Sequence, residues 1–513
     1  MKKSKEQENL IHRHAIAVLS ALPVLAGAPA IEAAGIVRGL DEVAAPTDTR
    51  VGDVRGTSGI GRQWIRSHPF TLTALSQQAA LTNGATYRGA GLNTFLAWKR
   101  PAELLPIAVG GDLPWHFHLS ETTLTQTVID EITLAAGHPG NTGWIVNDEP
   151  TFLEMADTAV IVDHVRQRFP EALVYTNAFP IGADAQTYYG DGSNPNYDYS
   201  NYLDDIATIV RPDVMMYDFY PFGIGGVHSG FYYTNLMAVR ARARSHELPY
   251  WAWIQAWEKP APPFDKRLPS ESDLRFQMFT HLAAGYQGFS YFAWDLGDLT
   301  SLVDASGNTS PLYDVAGPAN REVENLGQAL RFLENTDVRY VANTGNPTPA
   351  LMTDWAPGAG GDPFILRVDI DRSFPGSTGP WKDGVIGFFS DDEDERYFML
   401  TNAYHGENMT AADTLLHFEI EFDAAITQVL RLNRLTGMDE IVQLDPSNTL
   451  RLALPGGTGM LFKYDTGRGF PGVVIPEPST LCVLCGIALT VIAAASRRRG
   501  TTWWVVLPRR RDT

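Results

Sequence analysis

Gly143-Trp144-Ile145-Val146-Asn147-Asp148-Glu149-Pro150 runs from an apolar stretch into two carboxylates and a proline, and Thr151-x-x-Glu154 follows at once. The Thr/Glu spacing is a capping box, so a helix begins directly beyond a strand end. A strand that feeds a helix through a short turn is the repeating unit of a parallel α/β fold. The unit recurs on both sides. Strand candidates lie at Phe70 to Leu75, Leu92 to Trp98, Leu113 to His118, Gly143 to Asn147, Ala172 to Asn177, Val214 to Tyr220, Tyr250 to Gln255 and Gly288 to Trp294. Helical patterns such as Phe152 to Phe169, Tyr202 to Val210, Tyr233 to Ser245, Leu274 to Tyr286 and Arg321 to Leu333 fall between or after them, and Ser270-x-x-Asp273 caps another start. Eight β-α units within residues 66–336 have the size of a (β/α)8 TIM barrel, whose reactive groups sit where strands run into the following loops. A doubly wound sheet is the alternative arrangement, but no Gly-x-Gly-x-x-Gly follows an early strand.

Outward from the barrel the pattern changes. Residues 337–466 carry short alternating strands between Gly, Asp and Asn turns, for example Val385 to Ser390, Tyr397 to Asn402, Leu415 to Phe422, Thr427 to Leu432 and Gly459 to Tyr464. This predicts an all-β sandwich domain. Residues 1–30 have the charged, apolar and small-residue order of a signal peptide, and 31–65 form an N-terminal segment. A linker over 467–480 carries Pro476-Glu477-Pro478, an apolar run over 481–496 predicts a transmembrane helix, and Arg497-Arg498-Arg499 opens a basic tail over 497–513. The chain is therefore expected to be exported and anchored in the cell envelope.

The composition narrows the functional classes. Of 513 residues 44% are hydrophobic and 19% charged, with 12 Trp, 19 Tyr and 24 Phe, which excludes a disordered or coiled-coil chain. The net charge of −19 opposes binding to nucleic acid. Cys482 and Cys485 are the two cysteines and both lie in the apolar run, so no disulfide holds the folded part together.

Two carboxylates fall at the barrel's catalytic edge. With period-two alternation Asn147 and Glu149 share one face, while Trp144, Val146 and Asp148 share the other, which places Glu149 in the pocket. The same acidic turn would also suit an ordinary helix start. Strand seven ends Ile254-Gln255-Ala256-Trp257-Glu258, which adds a second Glu, and Tyr217-Asp218-Phe219-Tyr220-Pro221 adds Asp218 as its rival. Glycoside hydrolysis needs one carboxylic acid to protonate the leaving oxygen and one carboxylate to attack or to activate water. His116 and His118 alternate onto one face, but no further spacing completes a metal site, and hydrogen bonding to substrate hydroxyls or to neighbouring residues is the reading adopted. Trp98, Tyr220, Trp257 and Trp294 are candidates for stacking on sugar faces, as opposed to filling the core.

The barrel resembles the clan A glycoside hydrolases, and among them the β-galactosidase-like barrels that share an Asp-Glu-Pro turn and an Asp-x-Tyr-Pro strand end. The resemblance implies a retaining mechanism with Glu149 as acid/base and Glu258 as nucleophile, no cofactor, and a polysaccharide or oligosaccharide substrate. Asp148 stands where the family usually has Asn before its acid/base Glu. The alternative is a catalytically inactive barrel that binds polysaccharide as a matrix protein. The tripartite C-terminus resembles the PEP-CTERM sorting signal, which implies an exosortase-type processing partner and a membrane contact through residues 481–496.

Overall fold

The computed structural model describes residues 58–473 apart from 227–229, 262–264, 344–346 and 380. The expected signal peptide, PEP motif, membrane segment and basic tail lie outside the described residues. Among those described, no helix is long and apolar enough to cross a membrane.

Eight strands close into a barrel: β1 (Thr71–Ser76), β2 (Phe95–Trp98), β3 (Trp115–Leu119), β4 (Asn141–Asp148), β5 (Leu173–Ala178), β6 (Met215–Tyr217), β7 (Tyr250–Gln255) and β8 (Gly288–Phe292). Every neighbouring pair is parallel, and β8 returns to pair with β1. The strands are buried along nearly their whole length, on both faces, although β1, β3, β4 and β5 carry polar side chains among the apolar ones. Alternation still sorts the side chains. Leu72, Phe117, Trp144, Val146, Ala252 and Ile254 pack outward under the helices, whereas Leu75, Leu96, Ile145, Tyr175, Met216, Trp251 and Trp253 fill the interior.

The interior is closed by the Ser58–Ser67 helix, which sends Trp64 and Ile65 into the same inner cluster. Gly61 makes that approach possible: a Cβ there would stand 1.8 Å from the carbonyl oxygen of Asp213. No side chain fits in such a gap. Asp213 precedes β6, so the helix caps the N-terminal end of the barrel and leaves the carboxyl ends of the strands as the open mouth.

Nine antiparallel strands follow: β9 (Glu334–Val341), β10 (Ile365–Ile370), β11 (Gly384–Ser390), β12 (Arg396–Asn402), β13 (Leu416–Phe422), β14 (Gln428–Leu432), β15 (Asp439–Gln443), β16 (Thr449–Leu454) and β17 (Gly459–Tyr464). They form a sheet in the order β15-β14-β17-β12-β11-β9 and another in the order β10-β13-β16. Ile386, Phe388, Phe398 and Phe462 from the larger sheet meet Val368, Phe418, Ile420 and Leu452 from the smaller one in a separate core. The other face of the larger sheet turns Val385, Phe389, Tyr397, Met399 and Leu461 toward the barrel's helical layer. There the Glu271–Ala283 helix is buried from Ser272 to its end. Gly387 lies against it, where a Cβ would come within 1.8 Å of the Ala283 carbonyl oxygen.

Charges in this contact are neutralised. Glu322 receives both guanidinium nitrogens of Arg275 at 2.9 Å and Nε of Arg434 at 2.7 Å. Asp273 pairs with Arg267 and, at 2.7 Å, with His405 Nδ1. Four carboxylates of the acidic run Asp391 to Glu395 also have partners: Asp392 pairs with Arg66, Glu393 with Arg468 and Glu395 with Lys463, while Asp391 accepts from the Tyr397 hydroxyl at 2.7 Å.

Two helices depart from their sequence patterns. The pattern expected from Arg321 starts at Pro311 and runs through an internal Pro318, whose missing N–H hides the first half from a periodicity reading. The Tyr202 pattern begins at Tyr199 and widens into a π-helical turn over Ile206–Val210.

Candidate active site

The end of β4 does not keep a two-residue alternation. Ile145 pairs with Tyr175 but Asp148 pairs with Asn177, so β4 advances three residues while β5 advances two. This is a bulge, and Asn147 takes a left-handed φ of 54° to make it. Asn147 consequently turns out of the barrel, and its Nδ2 donates to Thr158 Oγ1 at 3.0 Å on the Phe152–Arg168 helix. Asp148 turns in. The expected parity is thereby corrected, with Asn147 in the helical layer and Asp148 on the side of the mouth.

A single amide then joins two carboxylates. Asn177 Nδ2 donates to Asp148 Oδ1 at 3.1 Å and to Asp218 Oδ1 at 3.3 Å. Asp218 stands just past β6, where Pro221 ends the extended run. Its carboxyl is pushed up to about 7, first by burial and next by the charge of Asp148, against the opposing hydrogen bonds of Asn177 and Tyr220. The Tyr220 hydroxyl shares a hydrogen bond with Asp218, and burial together with Asp218, Asp148 and Glu149 holds its own proton on.

Glu149 also has a left-handed φ, 55°, and is fixed by its N–H, which donates to the Asn177 carbonyl at 3.0 Å. It is half-buried, and its charge acts on Tyr188, Tyr202 and Tyr220. Glu258 lies just past β7 and is partly buried. Trp251 and Trp253 point inward from β7, which gives the inward position at its end to Trp257, and Glu258 anchors its N–H to the Thr300 carbonyl at 3.0 Å. The charges acting most strongly on Asp218 and Tyr220 are carboxylates of strands four and six, and Glu258 is not among them.

An aromatic wall borders the pair. Tyr220 stacks on Phe292 with ring centroids 5.3 Å apart, and Trp257 meets them edge-on at 5.7 and 5.9 Å. Trp98 lies flat on His118 at 3.5 Å. His118 is fully buried, and burial followed by Lys99 holds its imidazole well below the usual histidine range. His116 sits one layer deeper, bonded to the Tyr175 hydroxyl at 3.0 Å and lowered to about 3, chiefly by burial. Burial thus favours the neutral form of both rings, and the described residues contain no cluster of groups that could hold a metal. Trp294 is packed away from this wall: it lies against Tyr87 and donates Nε1–H to the Leu81 carbonyl at 3.2 Å.

Gln255, a residue with no sequence signal, locks the mouth loops together. Its Oε1 accepts from the Phe222 N–H at 2.9 Å, while its Nε2 donates to the carbonyls of Phe222 and Arg267 at 3.1 and 3.0 Å. The segment that carries Asp218 and Tyr220 is thus held against the loop after β7. Taken together, the mouth offers a carboxyl that keeps its proton near neutral pH, a second carboxylate beside it, and a flat apolar wall. A carboxyl that holds its proton beside a second carboxyl group is an arrangement suited to acid/base chemistry.

No protein-family model matches the chain, and no curated protein matches it in sequence. Solved structures similar to it include a glycoside hydrolase family 5 protein from Bacteroides vulgatus, 12% identical with a TM-score of 0.40, covering 80% of this chain and 91% of that one. A family 30 subfamily 8 xylanase from Clostridium acetobutylicum is 9% identical with a TM-score of 0.38, covering 77% of this chain and 96% of that one. A β-galactosidase from the psychrophilic Marinomonas ef1 is 12% identical with a TM-score of 0.38, covering 52% of this chain and 62% of that one. At such values these likenesses fix neither reaction nor substrate.

Proposed function

We propose that the chain is a glycoside hydrolase acting on polysaccharide or oligosaccharide, with Asp218 as the proton donor and Asp148 as its ionised partner. The observation that carries this reading is the one amide of Asn177 bonded to both carboxylates while Asp218 keeps its proton up to about pH 7. Asp218 gives its proton to the leaving glycosidic oxygen. Asp148 attacks the anomeric carbon, and in the second half-reaction Asp218, now ionised, takes a proton from the water that releases the sugar. Carboxyl groups about 5 Å apart belong to retaining enzymes and wider gaps to inverting ones, and a shared hydrogen-bond donor suits the narrow case. Glu149, which the family resemblance makes the acid/base, stands on the same rim as the alternative donor. The chain's ends support export through a signal peptide, anchoring by residues 481–496 and processing by an exosortase-type enzyme, so the substrate is envelope or environmental glycan.

Asp148, standing where the family resemblance implies Asn before the acid/base Glu, favours a second reading, a barrel that binds glycan without cleaving it. Turnover of aryl glycosides and polysaccharides by wild type, Asp218→Asn, Asp148→Asn and Glu149→Gln separates the two. The hydrolase reading expects kcat to fall about a thousandfold or more in both Asp variants, with azide rescuing Asp148→Ala. An equal fall in Glu149→Gln alone would move the acid role to Glu149. Glycan binding without turnover by wild type would establish the binding barrel.

A further inference from the structure

Lys266 lies in the loop after β7, with Gly223 opposite it on one side and Lys259 on the other in antiparallel bridges. Its backbone exchanges two hydrogen bonds with Lys259, at 2.9 and 3.0 Å. Residues directly opposite in such a pair project to the same side, so the two lysines share one face. The next residue, Arg267, projects to the other side, where it pairs with Asp273 and lies over the Phe222 ring at 5.2 Å. Lys266 has no such partner: its ammonium donates to the Tyr220 carbonyl, and among the described residues no carboxylate pairs with it.

This is unexpected in a chain of net charge −19. Burial holds the Lys266 pKa below the usual lysine range, and no neighbouring charge offsets that. A half-buried cation without a counter-charge is unfavourable, and binding an anion there removes the cost. The position says which anion. Tyr220 offers its carbonyl to Lys266 and its ring to the wall with Phe292 and Trp257. The ammonium therefore meets the backbone of a residue whose ring belongs to the wall on which a sugar would lie, and it carries N–H donors beyond the one given to that carbonyl.

We infer that Lys266 selects an anionic sugar unit, its ammonium pairing with a carboxylate or sulfate group on the glycan that occupies the mouth. The inference rests on the hydrolase or binding-barrel reading above and adds the charge class of the ligand. The test uses the full-length chain with oligogalacturonate, a sulfated galactan and a neutral galactan as probes, which distinguishes the two sources of negative charge. Expected are a preference of wild type for an acidic probe over the neutral one, a fall of that preference by roughly tenfold in Lys266→Gln, and its retention in Lys266→Arg. Acidic-probe affinity of wild type should also weaken with added salt, a measurement that needs no variant. If no probe is turned over, the same ratio is read from binding by calorimetry. Wild type that handles neutral glycan as well as acidic, or Lys266→Gln that keeps the preference, overturns the inference and leaves the hydrolase reading standing. Failure of wild type to bind or cleave any probe overturns both.

Discussion

Carboxylates sit in two very different settings in this molecule. Between barrel and sandwich, Glu322 is enclosed by Arg275 and Arg434, and Asp273 by Arg267 and His405. At the mouth, Asp148 and Asp218 face each other across one neutral amide, and Asp218 responds by holding its proton up to about 7. The first setting quenches charge where a surface must stay closed. The second sets two carboxylates on one neutral donor, and carboxyls perturbed in this way gather where a ligand must be met. The nature of the neighbour, guanidinium or second carboxylate, therefore separates the packing carboxylates of this fold from those available for chemistry.

The sharpest way to break the contrast is to unbalance the closed side. Glu322 is 8% exposed and serves two guanidinium groups, so Glu322→Ala leaves Arg275 and Arg434 buried with only Glu271 near. A loss of about 3 to 5 kcal/mol is expected in denaturant unfolding, with the transition separating into barrel and sandwich phases. A loss below 1 kcal/mol would show that the contact is held by its apolar face alone.

Most of the barrel was legible from the amino-acid sequence because its strands form short apolar and aromatic runs and two of its helices begin at strong caps. Thr151 and Glu154, like Ser270 and Asp273, form the capping boxes that their spacing predicts. The eight barrel strands fall where the pattern puts them, although β2 is trimmed to Phe95–Trp98 and β6 to Met215–Tyr217. The site was less legible. Alternation put Asp148 in the helical layer, and only the bulge at Asn147 reverses that; a positive φ leaves no periodic trace, though Asn is a residue that tolerates one. Asn177 and Gln255 act through single side-chain bonds to distant residues, which no local pattern records. Trp294 and Trp257 illustrate the same limit, since one belongs to the core and the other to the wall, and composition does not distinguish them.

A smaller effect tests the open side. Asp218 has a folded pKa raised to about 7 against an unfolded value near 3.9, so between those pH values the folded chain keeps a proton that the unfolded chain has lost. Stability from this group is fully present below about pH 4 and is lost as pH rises through 7. Asp218→Asn has no proton to lose. It should melt above wild type at pH 8, by about 2 kcal/mol once solvent at the mouth is allowed for, with the advantage shrinking steadily toward pH 4. A variant less stable than wild type at pH 8 would place Asp218 among the balanced carboxylates.

The smallest effect concerns balance that is only apparent. Arg468 pairs with Glu393, but both side chains are 63% exposed. The adjacent pair of Lys463 and Glu395 is nearly enclosed, and Lys463 also donates to the carbonyls of Arg468 and Gly469 at 2.9 and 3.1 Å. Those bonds are made to backbone and survive truncation of the arginine side chain. Arg468→Ala should therefore change stability by less than about 0.5 kcal/mol, and raising the salt concentration should erase what difference remains. Lys463→Ala, by the same argument, removes a buried cation from beneath Glu395 and should cost more than the arginine change. If the two variants prove equal, exposure is not what grades these ion pairs, and the contrast between closed interface and open mouth would have to rest on geometry alone.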